Sequence, residues 1–145
     1  MGAGCLAAIY PKTQAREAHP IETTTVLLVE DDRPLLEFFS TVLRREGYPV
    51  LIAQNGLEAL NLVKAQLNPR IDILLSDVEM PYMGGIQLAE SLRQTHPGLQ
   101  VLLAPGLPLK EVTNRCGPEF QPEFLAKPFS VSELTGKIRI FAQAA

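Results

Sequence analysis

From Thr24 onward, short continuous apolar runs alternate with longer stretches in which apolar residues recur every three or four positions. A short apolar run is typical of a strand buried on both faces, and the longer spacing is typical of an amphipathic helix. The pattern predicts strands at residues 26–29, 49–53, 71–76, 99–103 and 123–126. It also predicts a helix after each strand, and the fourth helix has the weakest support because prolines and glycines interrupt it.

Five strands that alternate with five helices predict an α/β fold with one parallel sheet. Every crossover should be right-handed. For five strands the common order is 2-1-3-4-5, so the expected arrangement is the flavodoxin-like (βα)5 form with helices on both faces. The predicted domain covers residues 24–145. Residues 1–23 show no helical or strand period and include Pro11 and Pro20, so we expect a loosely ordered N-terminal extension.

The composition narrows the class of protein. The chain has 145 residues, of which 46% are hydrophobic, a formal net charge of -3 and scattered basic residues. Nucleic acid is therefore not the expected direct partner, since phosphate backbones attract clustered Lys and Arg. No apolar run approaches the ~20 residues that span a bilayer, so no membrane partner is expected. Cys5 and Cys116 match no zinc or redox spacing, which favours reduced thiols and a cytoplasmic protein.

Charged residues follow three of the predicted strands at the point where each strand ends. Glu30 and Asp31 follow the first strand, Asp77 follows the third and Lys127 follows the fifth. Strands one and three are neighbours in the predicted order, so their carboxylates should converge on one crevice. Crowded carboxylates repel one another unless a cation lies among them, and oxygen ligands of this kind suit Mg²⁺. With a Lys to hold a phosphoryl oxygen, the spacing suggests phosphoryl transfer to an Asp nucleophile.

A structural interpretation exists for each of these residues taken singly. Acidic residues after a strand often only cap the next helix, and Asp32 before Arg33 and Pro34 fits that role. A Lys before a Pro is common on protein surfaces. The conjunction of these residues at three strand ends of one five-stranded frame favours the functional interpretation.

Three segments carry a resemblance to a known family. Residues 26–32 (VLLVEDD), 75–85 (LSDVEMPYMGG) and 124–129 (FLAKPF) resemble the signature segments of response-regulator receiver domains. The resemblance spans nearly everything after Thr24, and the spacing D-x-x-M-P-x-M-x-G, which begins at Asp77, is highly specific. It implies a receiver module of two-component phosphorelay signalling that accepts a phosphoryl group on Asp77 with the help of Mg²⁺.

The resemblance also assigns roles to residues around Asp77. It implies that the metal ligands are Glu30, Asp31, Asp77 and the backbone carbonyl of Glu79. Lys127 would contact the phosphoryl group, and the phosphate-binding positions would be Val78, Gly106 and Lys127. Phe124 stands at the family's aromatic switch position.

One position departs from the family pattern. The family usually has Ser or Thr at the end of strand four, and this sequence has Pro105, which offers neither a hydroxyl nor a backbone N–H. Gly106 still has an N–H that could point at a phosphoryl group. We also expect the Lys127–Pro128 bond to be cis, which would turn Lys127 toward the acidic crevice.

Three functional hypotheses follow. In the first, the chain is a phosphorylatable receiver without an output domain, served by a histidine kinase or phosphotransfer protein, and it is not an enzyme. It would act through contacts with a downstream protein target, or be a piece of a larger hybrid protein. In the second, Pro105 makes it a degenerate receiver that binds a partner regardless of phosphorylation. The third is a metal-dependent phosphatase of the dehalogenase-like family. It is weaker because the second Asp required two positions after the nucleophile is Glu79 here, and because a cap domain is lacking.

Overall fold

The computed structural model describes residues 24–66, 70–117 and 119–144, so the predicted extension at residues 1–23 lies outside the described residues. The strands are β1 (Val26–Val29), β2 (Val50–Ala53), β3 (Ile73–Asp77), β4 (Gln100–Ala104) and β5 (Glu123–Phe124). The helices are α1 (Arg33–Arg45), α2 (Gly56–Ala65), α3 (Gly85–Thr95), α4 (Leu109–Thr113) and α5 (Val131–Ala144).

The five strands form one parallel sheet in the order β2-β1-β3-β4-β5, which confirms the predicted topology. Four strand bounds differ from the prediction by one or two residues: β3 covers 73–77 rather than 71–76, β4 covers 100–104 rather than 99–103, and β2 and β5 are shorter than predicted. Pro49 has no N–H for a ladder, so β2 begins one residue later, although the Pro49 carbonyl accepts from Val26 N at 3.0 Å. β5 has two residues instead of four. Beyond it, Leu125 N still donates to the Leu103 carbonyl at 2.8 Å, and Lys127 N donates to the Pro105 carbonyl at 2.9 Å.

Alternation along the buried strands divides the core into two layers. On one face, Leu28, Leu75 and Leu102 pack with residues of α1 and α5. On the other face, Leu27, Leu74 and Leu103 belong to a cluster with residues of α2, α3 and α4. The strands are therefore apolar on both sides, as the continuous runs in the sequence predicted.

Local signals explain where α1 and α5 begin. The Asp32 side chain caps α1 by accepting from Leu35 N at 3.2 Å, and Pro34 lies in the first turn. Ser130 and Glu133 form the predicted capping box at α5, with reciprocal bonds of 3.0 and 2.8 Å. α4 has five residues, no side-chain cap and a single buried residue, Val112, in agreement with its weak sequence signal. None of the described helices combines the length and the apolar character needed to cross a lipid bilayer.

Candidate functional site

The carboxyl ends of β1 and β3 bring three carboxylates together. Val29 pairs with Ser76 in the parallel ladder, so Glu30 and Asp31 emerge beside Asp77, the last residue of β3. One carboxylate oxygen from each of Glu30, Asp31 and Asp77 lies within 4.8 Å of the others. The three carboxylates therefore converge on one pocket, as the sequence predicted.

Lys127 reaches this group from the end of the sheet where β5 stops. Its Nζ lies 2.6 Å from Glu30 Oε1 and 3.3 Å from Asp77 Oδ2. The peptide bond between Lys127 and Pro128 is cis, as the sequence predicted. Burial opposes the charge of Lys127, but the hydrogen bond to Glu30 and the charge of Asp77 outweigh burial and raise the pKa of its ammonium group.

Glu30 is the buried member of the acidic group, with 3% of its surface exposed. Both of its carboxylate oxygens are engaged, since Oε1 accepts from Lys127 and Oε2 accepts from Asp32 N at 3.1 Å. Asp31 is exposed at the rim of the group. Asp32 turns its side chain to the start of α1, so the capping interpretation holds for this residue and not for its two acidic neighbours.

The Asp77 carboxyl is only 12% exposed. Burial is the main reason that its pKa is raised to about 6, and the charge of Glu30 and a hydrogen bond with Asp31 raise it further. The charge of Lys127 and the Val78 N–H, which donates to Asp77 Oδ1 at 2.8 Å, act in the opposite direction. The ionised form of Asp77 is therefore disfavoured relative to an exposed Asp, yet it still predominates near neutral pH.

The loop after β3 is fixed by close backbone approaches at glycines. A Cβ on Gly85 would lie 2.1 Å from the Asp77 carbonyl oxygen, and one on Gly56 would lie 2.5 Å from the Met83 carbonyl oxygen. Gly85 N donates to the Val78 carbonyl at 3.0 Å. These contacts hold the segment that follows Asp77 against α2 and α3. The double glycine after Met83 was the available sequence signal for them, whereas the contact made by Gly56 had none.

The remaining predicted residues lie around β4 and β5. Pro105 is buried and its carbonyl accepts from Lys127 N at 2.9 Å, while Gly106 is exposed. The Phe124 ring is partly buried and packs against the cluster beneath α2, α3 and α4. It also lines a cavity of about 390 Å³ with Cys116 and Phe120. The structure therefore places Pro105 and Lys127 side by side, whereas Phe124 lies on the α2, α3 and α4 face of the sheet.

Two features near Asp77 were not predicted from the sequence. The Glu79 side chain forms an ion pair with Arg115, which lies in the turn after α4. Tyr82 is 85% exposed and has a φ of 71°, a left-handed conformation that non-glycine residues seldom adopt. Neither feature has a local sequence signal, because each depends on how the loops meet in space.

The donor set of this group is chemically suited to a hard divalent cation. The three carboxylates supply only oxygen ligands, and Lys127 alone among their described neighbours offsets their charge. Mg²⁺ prefers one or two carboxylates and other oxygen atoms around it. The residues present therefore fit the ion that the sequence predicted.

The chain is similar to known proteins in sequence and in structure. The family model described as the response regulator receiver domain matches residues 26–139. The chain is 40% identical over 116 residues to the transcriptional regulatory protein CpxR of Escherichia coli K12, covering 79% of this chain and 47% of that protein. It is 34% identical over 117 residues to the sensor kinase CckA of Brucella abortus, covering 81% of this chain and 12% of that protein. The chain thus spans about half the length of CpxR and a smaller share of CckA.

Solved structures give the same result. The receiver domain of Francisella response regulator 1452 superimposes with a TM-score of 0.68 at 26% identity, covering 83% of this chain and 98% of that one. The Vibrio cholerae chemotaxis protein CheY4 superimposes with a TM-score of 0.72 at 26% identity, covering 81% and 98%.

Proposed function

Because the chain belongs to the response regulator receiver domain family, we propose that Asp77 accepts a phosphoryl group in two-component phosphorelay signalling. The observation that carries this proposal is the position of the Asp77 carboxylate. It lies within 4.8 Å of Glu30 and Asp31 oxygens and 3.3 Å from Lys127 Nζ. Receiver domains are signalling modules that bind Mg²⁺ at an acidic pocket, and this group of carboxylates is the corresponding pocket of this chain.

We assign the metal to Glu30, Asp31, Asp77 and the backbone carbonyl of Glu79. When bound, Mg²⁺ neutralises negative charge during transfer of the phosphoryl group. The arrangement of the carboxylates supports this assignment, because two of them come from adjacent residues of one strand end and the third from its paired neighbour. Lys127 contributes a positive charge to the same pocket.

In the proposed reaction, an ionised Asp77 oxygen attacks the phosphorus of the donor. A P–O bond to Asp77 forms as the bond between phosphorus and the donor's leaving group breaks, and the electron pair departs with the leaving group. Lys127 holds a phosphoryl oxygen as a point charge. The backbone N–H groups of Val78 and Gly106 are assigned to the other phosphoryl oxygens, which requires the Val78 N–H to release Asp77 Oδ1.

We propose a histidine kinase or a phosphotransfer protein as the donor, and a downstream protein target as the recipient of the signal. We place the receiver module at residues 24–145, in the cytoplasm, without direct contact to nucleic acid or membrane. Its activity is acceptance of one phosphoryl group by the module itself, rather than turnover of a separate substrate as an enzyme.

The test is intact-mass spectrometry after incubation with Mg²⁺ and acetyl phosphate. Wild type should gain one phosphoryl mass, and Asp77→Asn should gain none. Asp32→Asn is the matched control, because Asp32 is an acidic neighbour whose side chain only caps α1, and Asn caps helices equally well. This variant should be phosphorylated like wild type. An equal gain in wild type and Asp77→Asn would overturn the assignment.

A second function is favoured by one observation at the end of β4. Pro105 is buried there and provides no hydroxyl or N–H to a phosphoryl group. Phosphorylation then has one fewer interaction with which to favour an active state, and a ligand shifts an equilibrium only by its differential interactions. The alternative is a receiver that binds its partner equally well with and without phosphate on Asp77. Measuring partner affinity with and without beryllofluoride distinguishes the two functions.

A further inference from the structure

An ion pair joins the loop that follows Asp77 to the turn after α4. The guanidinium of Arg115 contacts the carboxylate of Glu79 across 36 positions of sequence. The two side chains are 47% and 56% exposed. Exposed ion pairs contribute little to stability. An effect of this pair on function would therefore come from its position next to Asp77.

Glu79 is the second residue after Asp77. Its Cα therefore lies at most ~7 Å from the Cα of Asp77, since each residue extends the chain by at most ~3.6 Å. The ion pair borders a cleft of about 330 Å³ lined also by Val78, Met80, Gly84, Ile86 and Gln87. A Glu79 side chain that lost its partner would have room to adopt other rotamers, including those directed toward Asp77.

Another carboxylate near Asp77 would have an electrostatic effect on transfer. Glu30, Asp31 and Asp77 already place three acidic groups together, and a phosphodonor is itself an anion. Like charges a few ångströms apart repel by an amount that changes a rate several-fold. Within residues 24–66, 70–117 and 119–144, Arg115 is the cationic side chain that forms an ion pair with Glu79.

We propose that Arg115 is a positioning residue for phosphoryl transfer, which holds the Glu79 carboxylate away from Asp77 and thereby limits repulsion of the incoming phosphodonor. The inference rests on the proposed function of Asp77. Through Glu79, Arg115 links the turn after α4 to Asp77, and the strand-end residues do not provide this link. Arg115 acts through Glu79 and needs no contact with the phosphoryl group.

The experiment measures the rate at which acetyl phosphate phosphorylates Asp77 at saturating Mg²⁺. Arg115→Ala should lower the rate about three- to tenfold, and Arg115→Lys should retain most of it. The loss should shrink in about 1 M salt, where screening extends to ~3 Å. It should also be smaller with phosphoramidate, whose protonated amino group lowers its net negative charge.

A double-mutant cycle tests the route through Glu79. In a Glu79→Gln background, Arg115→Ala should have no further effect, because the carboxylate to be held is absent. Arg139→Ala is the matched control, since it breaks an exposed pair at 2.9 Å between α5 and Glu46, the residue that follows α1. That variant should phosphorylate at the wild-type rate, and urea midpoints should show that all variants fold.

The outcomes separate this inference from the proposed function. A wild-type rate in Arg115→Ala, or an equal loss in the Glu79→Gln background, overturns the role of Arg115 while Asp77 remains the acceptor. Failure of wild type to be labelled on Asp77 overturns the proposed function, and this inference with it.

Discussion

Replacing Asp77 by Asn should stabilise the metal-free protein near neutral pH. Asn has nearly the shape of Asp but no charge, so the substitution removes an ionised group from the vicinity of Glu30 and Asp31. The pKa of Asp77 is raised from 3.8 to about 6, mainly by burial. The folded protein therefore binds a proton on Asp77 more tightly than the unfolded chain does.

The magnitude follows from that difference. Each pKa unit corresponds to about 1.36 kcal/mol, so a shift of about two units corresponds to about 3 kcal/mol lost from wild-type stability above pH ~6. The sign follows from proton binding. Below pH ~3.8 the Asp77 carboxyl is protonated in both states and contributes no difference. Between pH ~3.8 and ~6 the unfolded chain has lost this proton while the folded protein still holds it, so the stability of wild type falls across this window and levels off above pH ~6. Asp77→Asn should thus gain about 2–3 kcal/mol near neutral pH and almost nothing near pH 4.

Urea unfolding in the presence of a chelator gives the required free energies. Far-ultraviolet circular dichroism is the suitable signal, since the chain contains no Trp. Asp32→Asn is the control, because it makes the same chemical change at an exposed residue that caps α1. Added Mg²⁺ should reduce the difference in unfolding free energy between wild type and Asp77→Asn, because a ligand at 100 times its Kd stabilises the folded state by about 2.7 kcal/mol. Equal stability of wild type and Asp77→Asn near neutral pH, or a gain that persists undiminished near pH 4, would refute the reasoning.

Three further predictions follow from the site. Asp31→Ala should weaken Mg²⁺ binding about tenfold or more in a calorimetric titration because one carboxylate ligand is lost, and unchanged affinity would remove Asp31 from the site. Gly85→Ala should destabilise the protein by about 2–4 kcal/mol in urea, because its Cβ would meet the Asp77 carbonyl oxygen at 2.1 Å. Gly136→Ala, with no atom within 4 Å of the added Cβ, should be neutral or stabilising. Pro105→Thr should enlarge the amide NMR shifts that beryllofluoride induces around Phe124, because the added hydroxyl can make a charge-assisted hydrogen bond of about 1.5–3 kcal/mol. An equally large response in wild type would contradict the role given to Pro105.

The fold could be predicted because the buried strands are continuous apolar runs and the connections are helical. Strand order then followed from general rules for parallel sheets. The ends of elements were less certain, since they depend on contacts distant in sequence. β3 begins at Ile73 rather than residue 71, and the Asp72 carboxylate just before it accepts from Thr25 N at 2.8 Å. β5 was predicted too long because its backbone bonds to β4 continue beyond the residues with strand geometry.

The residues of the site also differ in whether the sequence could predict their positions. Glu30, Asp31, Asp77 and Lys127 were predictable because the carboxyl ends of parallel strands meet at one edge, so position in sequence determines position in space. Asp32 is equally close to β1 in sequence, yet its extended backbone, with φ -82° and ψ 107°, directs its side chain to Leu35 N instead. Helix initiation rather than charge decides which of the three acidic residues leaves the pocket.

Arg115 and Glu79 show why the rest of the site was beyond prediction. The pair depends on where α4 ends, and α4 is held by one buried residue and no side-chain cap. Short helices have little intrinsic stability, so tertiary contacts determine their placement. A contact between such a segment and the loop after Asp77 leaves no periodic pattern in the sequence.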